Sequence, residues 1–489
     1  LTRKRSGGDP LMMPILRWEK SALAAGTLSI LVLLLCGSNS AAADEPQWQA
    51  GTASVVITPE QSMWMAGYAA RDKPSEGKVH DLYAKALALE DAEGTRLVIV
   101  TTDLIGIPRP LRENLQDRVG QEFHLPPESL LLNASHTHCG PELRAAKASL
   151  YDLGAERVAQ AREYIQSLED TIVKLIGDAL ADLQPAAVSY THARAGFAMN
   201  RRLPSGEGFR NHPNPDGPVD HDVPVLRIDS PDGRLKAVLF GYACHNTTLS
   251  FYQFCGDYAG FAQYALEADH PGVTALFFMG CGGDQNPYPR RELEHAQQHG
   301  RHLANAVETA LLAPAKPLTG PLRLAYEEVV LEFAAAPTRE ELEKLAETGN
   351  RYDRRKSAIL IEQLDTTGRI NTEYPYPVQV VRIGDDLTMV ALAGEVVVDY
   401  SLRLKRELND PIIWIAGYSN DVFGYVPSVR VLKEGGYEGG GAMRYTTLPG
   451  PFAESVEERI IAKVHELVRR VRETQPERTS NSGRVEAER

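Results

Sequence analysis

Two histidines lie two residues apart where an apolar run gives way to a turn, in LLNASHTHCGPEL over 131–143. The run 130–132 reads as the end of a buried strand. In an extended segment, side chains two apart share a face. His136 and His138 can therefore address one point beyond the strand end, before Gly140 and Pro141 turn the chain away. Two converging imidazoles are the beginning of a catalytic metal site. The arrangement recurs further along: 235–241 is a strong strand pattern running into Cys244, His245 and Asn246, and 273–279 is another, ending in the glycine-rich turn GCGGD with Asp284, Gln285 and Asn286 beyond it. Such a turn lets backbone amides approach a ligand closely. Glu395 follows Ala393-Gly394 at a strand end where a helix begins, a place whose dipole favours a carboxylate even without a metal. Asn420 to Tyr425 form one more polar strand exit. Two histidines, a carboxylate and one further oxygen or nitrogen suit a catalytic Zn²⁺, which leaves a position for water and lowers the water's pKa toward about 7.

These groups need a scaffold that delivers strand ends to one place. The spacing predicts strands over 48–59, 84–90, 97–100, 187–193, 235–241, 273–279, 322–333, 378–383, 387–392 and 412–416. It predicts helices over 112–122, 157–183, 291–312, 396–408 and 455–471, with another after Gly256-Asp257. A charged helical stretch opens at 337–347 and runs to about 365. The segment from Phe197 to Asp222, rich in glycine, proline and asparagine, reads as a long functional loop with Arg201, Arg202, His212 and His221 as its candidates. The glycine-rich segment 435–441 reads as a flexible lip. Asp103, at the end of a buried strand, faces a ligand crevice or caps a helix. Helices and strands alternate with several hairpins and no repeat or low-complexity linker. The expected fold class is α/β, one large catalytic domain of mixed β-sheets flanked by helices over 44–473.

The chain has 489 residues and a formal net charge of −13, which argues against a nucleic-acid partner because such binders carry a basic footprint. At its start, Lys4, Arg5, Arg17 and Lys20 precede an apolar run over 22–36 and the small residues Ala41, Ala42 and Ala43. That is the order of a secretory signal over 1–43, and it implies an exported, periplasmic or extracellular protein. The apolar run is short for a membrane anchor, and Leu35 is a poor fit to a lipoprotein site at Cys36. Residues 474–489 read as a polar disordered tail. After cleavage Cys139, Cys244, Cys255 and Cys281 remain, with no CxxC to suggest a thiolate zinc site. Cys244–Cys255 is a conceivable disulfide, buried thiols are the commoner outcome, and a nucleophilic cysteine is a minor option.

Taken in order, MAGYA, HDLYAKALALED, NASHTHCGP, AMNRR, ACHNTT, GDYAGFA, GCGGD, LAGE and SNDVFGYV resemble the neutral (non-lysosomal) ceramidase family from about Gly51 to Val426. The resemblance implies one zinc held by His136, His245, Glu395 and Tyr425. It places His138 by the substrate carbonyl and Arg201 near the reacting group. The implied activity is cleavage of an amide in an N-acylated, ceramide-like substrate by metal-activated water, with His138 as proton shuttle, Tyr425 stabilising the oxyanion, and Arg201 and Asn286 orienting the acyl oxygen. Asp103 and Asp284 would fix the imidazole tautomers. Small-molecule or lipid N-acyl substrates and peripheral membrane contact fit the family; nothing fixes the oligomeric state. Three departures stand out: Asn286 occupies the place of the family's serine in GDVSPN, Cys139 replaces the serine after HTH, and no C-terminal Ig-like domain is expected. They leave open a zinc esterase or hydrolase of a different N-acyl substrate, and a secreted binding protein with a degenerate site.

Overall fold

The structure is a computed structural model that describes residues 47–206 and 208–473. The expected signal segment and the expected polar tail lie outside the described residues.

Strand after strand alternates its apolar side chains between two buried faces, and this dictates the layering. In Tyr83–Asp91, Ala84, Ala86 and Ala88 point to one core while Leu87 and Leu89 point to another. Arg96–Thr102 does the same with Val98 and Val100 against Leu97 and Ile99. Leu130–Ala134 continues the pattern with Leu130 and Leu132 against Leu131. A sheet that is apolar on both faces must be covered on both. One face packs on a second sheet, whose Val381, Ile383, Met389 and Trp414 enter the shared core. The outer faces are covered by helices. Arg109–Phe123 and Ala155–Ala181 lie over one part of the first sheet. Asp257–Asp269 and Leu293–Leu312 lie over another part. Val398–Glu407 and Val456–Glu473 cover the second sheet. The result is a helix–sheet–sheet–helix stack of the expected α/β class. Each fully buried leucine, isoleucine or valine contributes about 1.5–3 kcal/mol to it.

The first sheet runs, in spatial order, Thr274–Met279, Leu235–Tyr242, Asp222–Asp229, Gln184–Arg194, Trp48–Val56, Tyr83–Asp91, Arg96–Thr102 and Leu130–Ala134, with Lys316–Pro317 beside Gln184–Arg194. Its two parallel pairs lie at its two ends, and the strands that lead into His136 and His245 belong to opposite ends. Curling brings those ends together. The Asn133 side chain accepts from the Met279 amide at 2.8 Å and donates to the Gly417 carbonyl at 2.9 Å, so one amide group bridges both edges and the segment after Ile412–Ala416. The second sheet, ordered Leu322–Glu332, Glu373–Ile383, Leu387–Leu392 and Ile412–Ala416, aims its parallel pair at the same place.

Two expectations need correction. The segment after Phe197 is not a loop but a hairpin, Ala198–Ser205 with Gly208–Asn214, so Arg201 sits on a strand. Its glycines, prolines and asparagines hide a short ladder that a third strand, Gln285–Pro287, extends. The 435–441 segment is not a flexible lip: Glu438 within it is 3% exposed and ion-paired.

Candidate active site

His136 and His138 do converge, but not by strand alternation. The strand ends at Ala134, and His136 adopts φ 59°, a left-handed conformation costly for a residue with a side chain. That turn brings the two Nε2 atoms within 3.2 Å. Tyr418 and Asn420, on the facing segment, share the left-handed geometry at φ 52° and 63°.

Hydrogen bonds settle the tautomers. His136 Nδ1 lies 2.6 Å from the Ile105 carbonyl, and His245 Nδ1 lies 2.7 Å from that of Gly282. A carbonyl only accepts, so both imidazoles carry their proton on Nδ1 and present a bare Nε2. Asp103 and Asp284, expected to set these tautomers, touch neither ring. Asp103 accepts from the Tyr83 amide and Gln263. Asp284 accepts from the Val398 amide at 2.8 Å and from Asn200 at 3.0 Å, pinning the helix that follows Glu395 to the strand that carries Arg201. Burial lifts the Asp284 carboxyl to about 6.

Glu395 and Tyr425 arrive together because Glu395–Val396 and Tyr425–Val426 form a two-residue parallel ladder with Glu395 opposite Tyr425. Glu395 Oε2 is buried, receives no hydrogen bond, and lies 3.2 Å from both His136 Nε2 and His245 Nε2. Burial raises this carboxyl, yet the two imidazoles outweigh burial and hold it well below the usual carboxylate range. His245 is pushed down to about 3, chiefly by burial and then by Arg201. His136 Nε2, His245 Nε2 and Glu395 Oε2 thus meet at a distance that either a shared proton or a bound metal ion can bridge. Tetrahedral ligands at zinc distances sit about 3.3 Å apart, so the donor set fits a zinc-sized ion. The Tyr425 hydroxyl lies 3.1 Å from His245 Nε2, within reach of a fourth position. His136, His138 and His245 also form a buried three-histidine cluster able to hold a metal. His138 differs from the other two in having no acceptor on Nδ1. Metal-ligating histidines almost always have one. Its ring lines the cavity, with Gly67 pressed so close that a Cβ there would meet the ring at 2.3 Å. Burial first, then His136 and His245, push His138 well below the ordinary imidazole range.

Arg201 and Asn286, expected at the substrate, stand one layer behind. Neither lines the cavity. Arg201 donates through Nη2 to the Tyr425 oxygen at 2.8 Å, through Nη1 to Asn286 Oδ1 at 3.2 Å and through Nε to Glu438 at 2.7 Å. Glu438 also takes Arg202 Nη1 at 2.8 Å. Of the hairpin's other candidates, His221 bonds the Ala198 carbonyl and His212 is exposed. The four cysteines among the described residues are free and buried, with no Cys244–Cys255 disulfide, and burial raises each of their thiols, which leaves no nucleophilic cysteine among them.

The family model described as "Neutral/alkaline non-lysosomal ceramidase, N-terminal" matches residues 48–300, just over half of the chain. The chain belongs to the neutral/alkaline non-lysosomal ceramidase family. Among curated relatives, neutral ceramidase A of Dictyostelium discoideum is 28% identical over 246 residues, 48% of this chain and 34% of that protein. The chain thus spans about a third of that relative's length. The neutral ceramidase of Mycobacterium tuberculosis (strain ATCC 25618 / H37Rv) is 24% identical over 464 residues, 78% of this chain and 71% of that protein. The crystal structure of neutral ceramidase from Pseudomonas aeruginosa superposes with a TM-score of 0.69 at 21% identity, covering 88% of this chain and 75% of that one, which shows a shared fold. Among the described residues no Ig-like domain is formed.

Proposed function

We propose that this member of the ceramidase family is an exported, zinc-dependent amidohydrolase that cleaves the amide of an N-acylated, ceramide-like substrate. The observation that carries the reading is the meeting of His136 Nε2, His245 Nε2 and Glu395 Oε2 at 3.2 Å while both Nδ1 atoms are engaged by backbone carbonyls. With Tyr425 as fourth ligand, a zinc ion there supplies Lewis acidity and makes water nucleophilic near neutral pH. The chain's own residues do the rest. Arg201 donates to the Tyr425 oxygen and favours negative charge on it, opposing the burial that pushes the phenol up. Glu438 and Asn286 hold the guanidinium in that pose, so Arg201 acts through Tyr425. His138 is the imidazole left free to exchange a proton, and it carries one from the attacking water to the departing nitrogen. As the C–N bond breaks, the carbonyl carbon gains the water oxygen and the products are a carboxylate and an amine. Peripheral contact with a lipid surface would supply a ceramide-like substrate. No helix among the described residues is long and apolar enough to cross a membrane.

The test is metal analysis of the purified protein, then chelation and zinc add-back with N-acyl-sphingosines and matched esters. One bound zinc per chain and amide cleavage restored by zinc are expected. A protein purified without metal, or one that cleaves only esters, would sink the reading.

A further inference from the structure

The cavity that reaches the site is about 310 Å³. Ligand pockets run from about 300 to 1,000 Å³, so this one is small.

Its charged lining is Glu395, Arg144 and Lys147 besides the histidines. Glu395 belongs to the metal site. Arg144 is already neutralised, its Nε and Nη2 each 2.7 Å from a different oxygen of Glu142. Lys147 is not. Its helix, Ala145–Leu150, turns the ammonium into the cavity wall, where it stands 5.6 Å from the centre of the Tyr151 ring and donates to the Tyr445 carbonyl. Among the described residues no carboxylate lies within ion-pair distance of Lys147, although the chain carries an excess of acidic residues. Burial, and then Arg144, push the ammonium down to about 7. Tyr151, Tyr437 and Tyr445 share the same lining. Glu142 and Glu395 attract this half-buried ammonium only from beyond ion-pair distance, so a carboxylate brought to it supplies the missing half of a contact ion pair.

We infer that Lys147 binds a carboxylate at the cavity wall, so that N-acyl amides bearing a carboxylate are preferred to matched neutral ones. This rests on the amidohydrolase reading and departs from it in one respect, replacing the neutral, ceramide-like substrate by an acidic one of the same N-acyl class. The carboxylate can sit on either side of the scissile amide, so three compounds form the test. N-lauroylglycine carries the acid on the amine side, the mono-N-dodecylamide of succinic acid carries it on the acyl side, and N-lauroylethanolamine is neutral.

With the zinc-loaded full chain, kcat/KM for at least one acid should exceed that for the ethanolamide by about tenfold, the scale of one hydrogen bond to a charged group. The gain should appear mainly in KM. Lys147→Met should erase the preference and Lys147→Arg should keep it. Calorimetric binding of the same compounds to metal-stripped protein reads the contact without turnover, and there the acid should again win by about tenfold in the wild type but not in Lys147→Met. Equal or better handling of the ethanolamide by the wild type, or a preference that survives Lys147→Met, overturns the inference. Failure to cleave any amide while the acid still binds through Lys147 upholds the recognition and places the fault in the amidohydrolase reading.

Discussion

The inner and outer ends of the cavity are built differently. At the inner end, His136 and His245 are held by backbone carbonyls, and Glu395 and Tyr425 by facing positions of one ladder. At the outer end, Arg144 is held by a side chain, Lys147 by a carbonyl of the 441–445 turn, and the tyrosines by ring contacts, Tyr437 with Tyr445 at 6.4 Å and both Tyr151 and Tyr445 with Tyr352 behind them at 5.4 and 5.1 Å. Backbone anchors fix positions to a fraction of an ångström and cannot be lost by substituting the anchor's side chain. Side-chain anchors can be exchanged one at a time. Reaction chemistry is therefore tied to the fold, while selectivity is carried by residues that can vary without disturbing it.

The largest test of that contrast compares two neighbours. His136→Ala should lose bound metal and more than about a thousandfold in turnover, whereas His138→Ala should keep its metal and lose about 10²–10⁴-fold. Metal content by mass spectrometry separates them, and equal metal loss in both would make His138 a ligand. The layer behind Tyr425 comes next. Glu438 stays ionised because Arg201 and Arg202 outweigh the burial that opposes its charge. Glu438→Gln leaves two buried guanidinium groups without their shared partner and should cost about 3–5 kcal/mol in denaturant unfolding; a cost below about 1 kcal/mol would show that the ion pairs are not needed to hold this layer.

The smallest effect is in pH. Asp284 has a folded pKa of about 6, above the unfolded value of about 3.9. A carboxyl raised by folding contributes stability that is present below about 4 and lost as pH rises through 6. Relative to Asp284→Asn, the wild type should lose about 2 kcal/mol between pH 4 and 7. A pH-independent difference would mean that the Val398 amide and Asn200 cancel the burial completely.

The same contrast explains what could be read from the sequence. Whereas Tyr425 was singled out only by the family resemblance, His136, His245 and Glu395 were legible as strand-exit candidates because each follows an apolar strand pattern, and such patterns survive in the primary structure. The groups that fix the tautomers were not, because the Ile105 and Gly282 carbonyls leave no side-chain signal. Glu438 was hidden by its glycine neighbours, which suggest mobility, while its partners lie 237 and 236 residues away. Arg201 was legible as a site residue but not as a strand residue, since only pairing with Gln285–Pro287 and Gly208–Asn214 makes that stretch a strand. Lys147 carried no motif at all: its distinction is that no carboxylate among the described residues pairs with it directly, which no linear reading reveals.

Asn133 carries one more consequence. Leu130–Ala134 and Thr274–Met279 are the terminal strands of a large sheet, the kind of edge on which foreign strands nucleate aggregates. The Asn133 amide occupies both the N–H and the C=O of Met279, at 2.8 and 3.4 Å, as a neighbouring backbone would, and Ser419 bridges back to Asn133 from the other side. The seam where the candidate site's residues gather is thus also a guard against self-association, and loosening it would expose sticky edges at the same moment as it scattered those residues.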